Sequence, residues 1–175
     1  DHRAFREALV NAFGHRDYTL LGRVRVQLDD AGLTIANPGG FVEGINIHNL
    51  LTAEPHGRNP CLMDALKRTG LAERTGRGID RIYEGSLHYV RPLPDYTASN
   101  ERNVSVYLQR SAPDVEFVRM LAEEQERTGK TMPVNGLLIL NMLKNERRCT
   151  FETLDKELDM SEQRLRAMLG QLTES

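Results

Sequence analysis

Cysteine is nearly absent from this chain of 175 residues: Cys61 and Cys149 stand far apart, with no Cys-x-x-Cys or Cys/His spacing around either. A disulfide framework and a zinc site of the usual ligand spacing are therefore not expected. Isolated thiols suit a reducing cytoplasm, which is the expected location. No apolar run approaches the roughly 20 residues a membrane-crossing helix needs, so no membrane partner is expected, and no leader-like segment is visible. Net charge is scarce too, since 23 Lys+Arg against 25 Asp+Glu leave −2. Before Pro113 there are 14 basic and 13 acidic residues, and from there on 9 and 12. Neither part is a polycation, so contact with DNA would need a local patch. Internal repeats and low-complexity tracts are missing. The chain opens at Asp1 without a methionine, from which we expect a piece of a longer protein.

What is present is an apolar share of 39%, enough for a real core in one domain or two small ones. Residues 3 to about 15 carry apolar side chains at helical spacing. Val24-Arg-Val-Gln-Leu28 alternates like a strand, Asp29-Asp-Ala-Gly32 turns, and Leu33-Thr-Ile-Ala36 returns, so a hairpin is expected. After the break at Asn37-Pro-Gly-Gly40 comes a loop-rich stretch to Arg58. Asn59-Pro60 reads as an N-cap and first helical position of a helix ending at Gly70. Thr75-Gly-Arg-Gly78 precedes a helix with Ile79, Ile82 and Tyr83, and Val104–Leu108 alternates as a further strand. Beyond Pro113 the pattern is all-helical: 114–127, 134–144, 151–158 and 162–172. Thr150 and Ser161 stand at N-cap positions, and the last two helices have helix-turn-helix spacing. Two domains follow, 1–112 and 113–175.

Three features of the first domain carry chemistry. Glu7, Asn11 and His15 recur every four residues and form a polar stripe on an otherwise apolar helix. Asn37-Pro-Gly-Gly40 is a glycine-rich strand exit. Gly76-Arg-Gly78 opens a helix, where free amide N–H groups and the helix dipole favour phosphate.

In this order, REALVNAFGHRDY, DDAGLTIANPGG, RNP and TGRGIDRI resemble the C-terminal region of bacterial regulators labelled RecG-like ATP-dependent DNA helicase, whose N-terminal domain is shared with Schlafen proteins. The resemblance covers about residues 1–110. It implies the gyrase, Hsp90, histidine-kinase and MutL superfamily, hence an α+β fold: a Bergerat-type two-layer sandwich followed by a winged-helix-like all-α domain. Glu7-x-x-x-Asn11 then matches the N-box. The resemblance implies that Asn11 ligates Mg²⁺ through a hard oxygen, while Glu7 orients or deprotonates the attacking water in members that hydrolyse ATP. His15 continues the stripe, and Asp17 and Tyr18 close the helix.

Asn37, Gly39 and Gly40 fall where the superfamily has Asp-x-Gly-x-Gly, whose acid accepts a bond from the adenine amino group. Here the acid is replaced by Asn37, and Phe41 stands in place of the last glycine. A neutral acceptor makes a bond roughly half as strong as a charged one. Gly76 and Gly78 match the second glycine box, which holds phosphates under a mobile lid within 41–58, with Arg58 or Arg77 available to meet phosphate. A helicase motor needs GxxxxGK[ST]. Gly-Lys occurs once, at Gly129-Lys130, with no glycine five residues ahead, so unwinding is not expected.

The expected function is an ATP-binding module with Mg²⁺, fused to a DNA reader, in a regulator that couples the two. In that reader 162–172 is the recognition helix, and Gln163, Arg164, Arg166 and Gln171 reach double-stranded DNA. The alternatives are a DNA-binding scaffold with a decayed nucleotide site, a weak ATPase with Glu7 as base, and, for the second domain, a helical packing unit. A homodimer is a further expectation, from the superfamily's habit of pairing on nucleotide.

Overall fold

A computed structural model describes residues 1–54, 56–72, 76–146, 148–158 and 160–174. The chain divides into two compact units: Asp1–Ser86 with Arg91–Ala112, and Leu87–Val90 with Pro113–Ser175. The described elements are α1 (His2–Gly14), β1 (Arg25–Leu28), β2 (Gly32–Pro38), α2 (Pro60–Arg68), α3 (Gly78–Leu87), β3 (Asn103–Gln109), α4 (Val115–Thr128), α5 (Val134–Glu146), α6 (Phe151–Leu158) and α7 (Glu162–Glu174). The fold is mixed α+β. Thr75, expected in the second glycine turn, and Asp159, expected between α6 and α7, lie outside the described residues.

In the first unit a three-stranded antiparallel sheet runs in the order β1-β2-β3. The register sets Leu33 opposite Leu108, Ile35 opposite Val106 and Asn37 opposite Val104. Because strand side chains alternate, these six share one face, and the face that buries Ile35 also presents Asn37. Ala8 and Ala12 of α1 and Ile82 of α3 pack there with Ile35, Val106 and Tyr96. The Asp1 carboxylate caps α1 by accepting the Arg3 and Ala4 N–H groups at 2.7 and 3.0 Å.

β1 departs from the expectation its alternation raises. Val26 and Leu28 are 49% and 78% exposed, so the apolar face of this edge strand is open instead of packed. Asn59 occupies the N-cap position, as expected. α2 starts at Pro60 as expected, but the Asn59 side chain makes no capping bond. Its amide is used elsewhere, as described below.

The second unit is helical in its described residues. α5 buries Val134, Gly136, Leu137, Leu138 and Ile139, more than one helix face can hold, which marks it as the central helix. Phe117, Leu121, Leu154, Leu158, Met160 and Leu165 are buried with it. Asp114 caps α4 through the Phe117 N–H at 2.9 Å, and the Thr150 hydroxyl caps α6 through the Thr153 N–H at 3.2 Å.

Candidate functional site

The stripe on α1 faces a cavity of about 370 Å³, lined by Glu7, Asn11 and His15. That volume falls in the range of small-molecule sites, about 300–1,000 Å³. Its lining also includes Ile35 and Asn37 of the sheet, Gly40 and Phe41 after it, and Gly76, Gly78 and Asp80 at the start of α3. The sheet register brings Asn37 here and helical spacing brings Glu7 and Asn11. The loop before α3 brings Gly78.

Glu7 is only 2% exposed. Arg6 Nη2 lies 3.5 Å from its Oε1. A Cβ added to Gly78 would lie 3.3 Å from Glu7 Oε2 and 3.5 Å from both Asn11 Oδ1 and Nδ2. The N-terminus of α3 therefore stands directly against the carboxylate and carboxamide of the stripe. Asn37, 5% exposed, donates from Nδ2 to the Pro38 carbonyl at 3.2 Å, which leaves Oδ1 as the group's acceptor. Phe41 packs against Tyr96 with ring centroids 6.3 Å apart, and it forms part of the wall without closing the cavity.

Burial pushes the His15 imidazole below its ordinary value, and the Arg58 charge adds to this, so the ring is held toward its neutral form. Burial likewise pushes the Tyr96 phenol up, with Tyr83 nearby contributing. The described carboxylates in the wall are Glu7, Glu54, Asp64 and Asp80, and the described Lys or Arg is Lys67. An anionic ligand would meet an excess of negative charge here unless it arrived with a cation.

Two of the glycines have other work. Gly39 has φ +95°, and a Cβ on it would come within 2.6 Å of Arg58 Nη1 and of Asp17 Cβ. It borders a second depression with Asp17 and Arg58, whose lining does not include Glu7 or Asn11. A Cβ on Gly40 would come within 2.8 Å of the Asn100 and Glu101 carbonyl oxygens. Gly40 borders both cavities. Close packing of the chain on itself thus leaves no room for a side chain at either glycine.

Neither expected arginine points free groups at the cavity. Arg58 pairs with Asp17 at 3.0 Å and donates to the Gly40 carbonyl at 2.9 Å. Arg77 is engaged by Asp80 at 3.2 Å and Glu84 at 3.5 Å. Residues not expected from the sequence are Met63, Asp64 and Lys67 of α2 and the aromatic wall of Tyr96. A helix placed after a long loop carries no local signal of what it faces.

In the second unit, Gln163 and Arg164 are exposed on α7, as is Gln171. Arg166 is held by Glu162 at 2.8 Å and lies over the Phe151 ring, 5.0 Å from its centroid. Among the described residues no three His, Cys, Asp or Glu converge as metal ligands, and no helix is long and apolar enough to cross a membrane.

No curated protein matches the chain. Among solved structures, the crystal structure of the DIP2311 protein from Corynebacterium diphtheriae aligns with a TM-score of 0.82 at 23% identity. The alignment covers 97% of this chain and 36% of that one, so the chain spans about a third of its relative's length, and the likeness is one of fold. The Asn37 turn, both glycine pairs and all three strands nearly to their ends fall within one further match, while Glu7 and Asn11 precede it. Over residues 22–108 the chain is similar to the HATPase-type family described as "Putative ATP-dependent DNA helicase recG C-terminal".

Proposed function

We propose that the first unit is a nucleotide-binding module of Bergerat type that takes ATP with Mg²⁺. The observation that carries this reading is the meeting of Glu7, Asn11 and Gly78 at one end of a cavity whose other wall presents Asn37. The family match supports it from the sequence side. Asn11 Oδ1 supplies a hard oxygen of the kind Mg²⁺ prefers, and such an ion typically draws its remaining ligands from phosphate and water. Bound, it would offset part of the negative charge of the wall. Gly76, Gly78 and the first amides of α3 would hold phosphate, and Asn37 Oδ1 would accept from an exocyclic amine. Calorimetric titration of ATP with Mg²⁺ into the wild type and Asn11→Ala tests the reading. Heat for the wild type that is lost in the variant is expected, and silence of the wild type at millimolar nucleotide would remove the idea.

Hydrolysis is a narrower proposal with Glu7 as general base, since its buried carboxylate stands beside the phosphate end. Phosphate release by Glu7→Ala equal to that of wild type would dismiss it. For the second unit we propose a winged-helix-like DNA reader using Gln163 and Arg164 of α7, in a cytoplasmic transcriptional regulator, with dimerisation on nucleotide. The exposure of these two beside the fully buried Leu165 favours it. Binding to duplex DNA that weakens steeply with salt, and falls in Arg164→Glu, is expected. If such binding is indifferent to ATP, the scaffold with a decayed nucleotide site is the better description.

A further inference from the structure

We infer that Arg58 fixes how loop residues 41–54 sit against the cavity, as a positioning residue that does not touch the ligand. This rests on reading the cavity as a nucleotide site. Three chain exits are knotted at one point. The Arg58 guanidinium reaches the exit of α1 through Asp17 Oδ2 at 3.0 Å and the exit of β2 through the Gly40 carbonyl at 2.9 Å. Its neighbour Asn59 donates from Nδ2 to the Gly14 and Arg16 carbonyls at 2.9 and 2.8 Å, which fastens the end of the helix carrying the stripe. The Asp17 N–H closes the triangle by donating to the Pro38 carbonyl at 2.8 Å.

The consequence concerns the wall. The chain leaves this knot at Gly40 and returns to it at Arg58, so the intervening loop has its two ends joined, in the manner of an Ω-loop. Phe41, Val42, Ile45, Leu50 and Leu51 of that loop line the cavity. Arg58 itself lines the second depression with Gly39 and Gly40, and it is not among the described residues that line the cavity with Asn11 and Gly78. Gly39 gives the same conclusion independently, because any side chain there would displace the guanidinium. A planar fork can serve a carboxylate and a carbonyl together, which a lysine ammonium on its flexible stem does less well.

The test uses Arg58→Lys and the nearly isosteric Asp17→Asn in the 175-residue chain, with melting as the check of folding. Hydrogen exchange of the amides between 42 and 54 is read without ligand, and affinities for adenosine, ADP and ATP are read with Mg²⁺. Faster exchange in both variants is expected. An affinity loss of about tenfold, the same for all three ligands and expressed in the dissociation rate, is expected of Arg58→Lys. A loss that grows with the number of phosphates would make Arg58 a phosphate ligand and overturn the proposal. Unchanged exchange in both variants would also overturn it. Should the wild type bind none of the three ligands, the nucleotide reading fails by itself. Exchange in the free protein then decides the role of Arg58 alone.

Discussion

Gly78 and Asn11 stand in van der Waals proximity: a methyl group on the glycine would sit 3.5 Å from both polar atoms of the carboxamide. A helix start rich in free N–H groups and a side-chain oxygen 67 positions earlier in the sequence thus share one end of the cavity. The 3.5 Å contacts are ordinary, but the methyl would also lie 3.3 Å from Glu7 Oε2, so the carboxylate must give slightly while the space a ligand needs is narrowed.

Gly78→Ala should therefore separate stability from binding. Alanine's advantage over glycine belongs to helix interiors and Gly78 is the first residue of α3, so melting should shift by less than about 1 kcal/mol in stability. ATP affinity should fall by about tenfold, the equivalent of one charge-assisted hydrogen bond. Paired thermal melts and titrations check this, and a variant that binds as well as wild type would place the phosphates elsewhere.

Divalent metal should be required for the triphosphate but not for the nucleoside. Glu7, Glu54, Asp64 and Asp80 outnumber Lys67 among the described charges of the wall. Chelation should weaken ATP by at least about tenfold and leave adenosine unaffected, because only the phosphates feel the carboxylates. Titrations with and without EDTA read the difference.

Acidification should destabilise the first unit through His15. Burial and then the Arg58 charge hold its folded pKa below the ordinary 6.5. The unfolded chain consequently binds the proton first, and stability rises with pH between the folded and unfolded values. The contribution is complete above 6.5 and is lost as pH falls toward the folded pKa. Urea midpoints at pH 7.5 and 5.5 should differ more for wild type than for His15→Gln. Equal shifts would assign the dependence to other groups.

Val90 should be a stabilising site. Its φ of +51° is left-handed, unusual for a β-branched residue. The Val90 and Arg91 N–H groups donate to the Leu87 and Ser86 carbonyls, each at 3.0 Å, so Val90 holds the place a glycine or asparagine usually takes after a helix. Val90→Asn should raise stability by about 1 kcal/mol, the size of the left-handed penalty it relieves. Chemical denaturation measures it, and a loss would show that the valine side chain contributes more than the strain removes.

Helical spacing alone fixed that Glu7, Asn11 and His15 share a face, because 3.6 residues per turn leaves no choice once the apolar positions are buried. Strand alternation likewise fixed that Asn37 lies on the side of Ile35, and caps and apolar runs located the four helices after Pro113. What those local rules could not decide is which distant groups meet. Asn59 before a proline has the local look of a cap, yet its amide spans 45 positions to Gly14, and Arg58 spans 41 to Asp17. The glycines after Asn37 are legible as a turn, but whether their missing side chains admit a ligand or admit Arg58 depends on what packs behind them. The exposed face of β1 is equally invisible in its alternating sequence. Periodicity encodes direction relative to a residue's own element. Only the tertiary structure, by choosing which elements face one another, turns those directions into a cavity with Asn11, Asn37 and Gly78 on its walls.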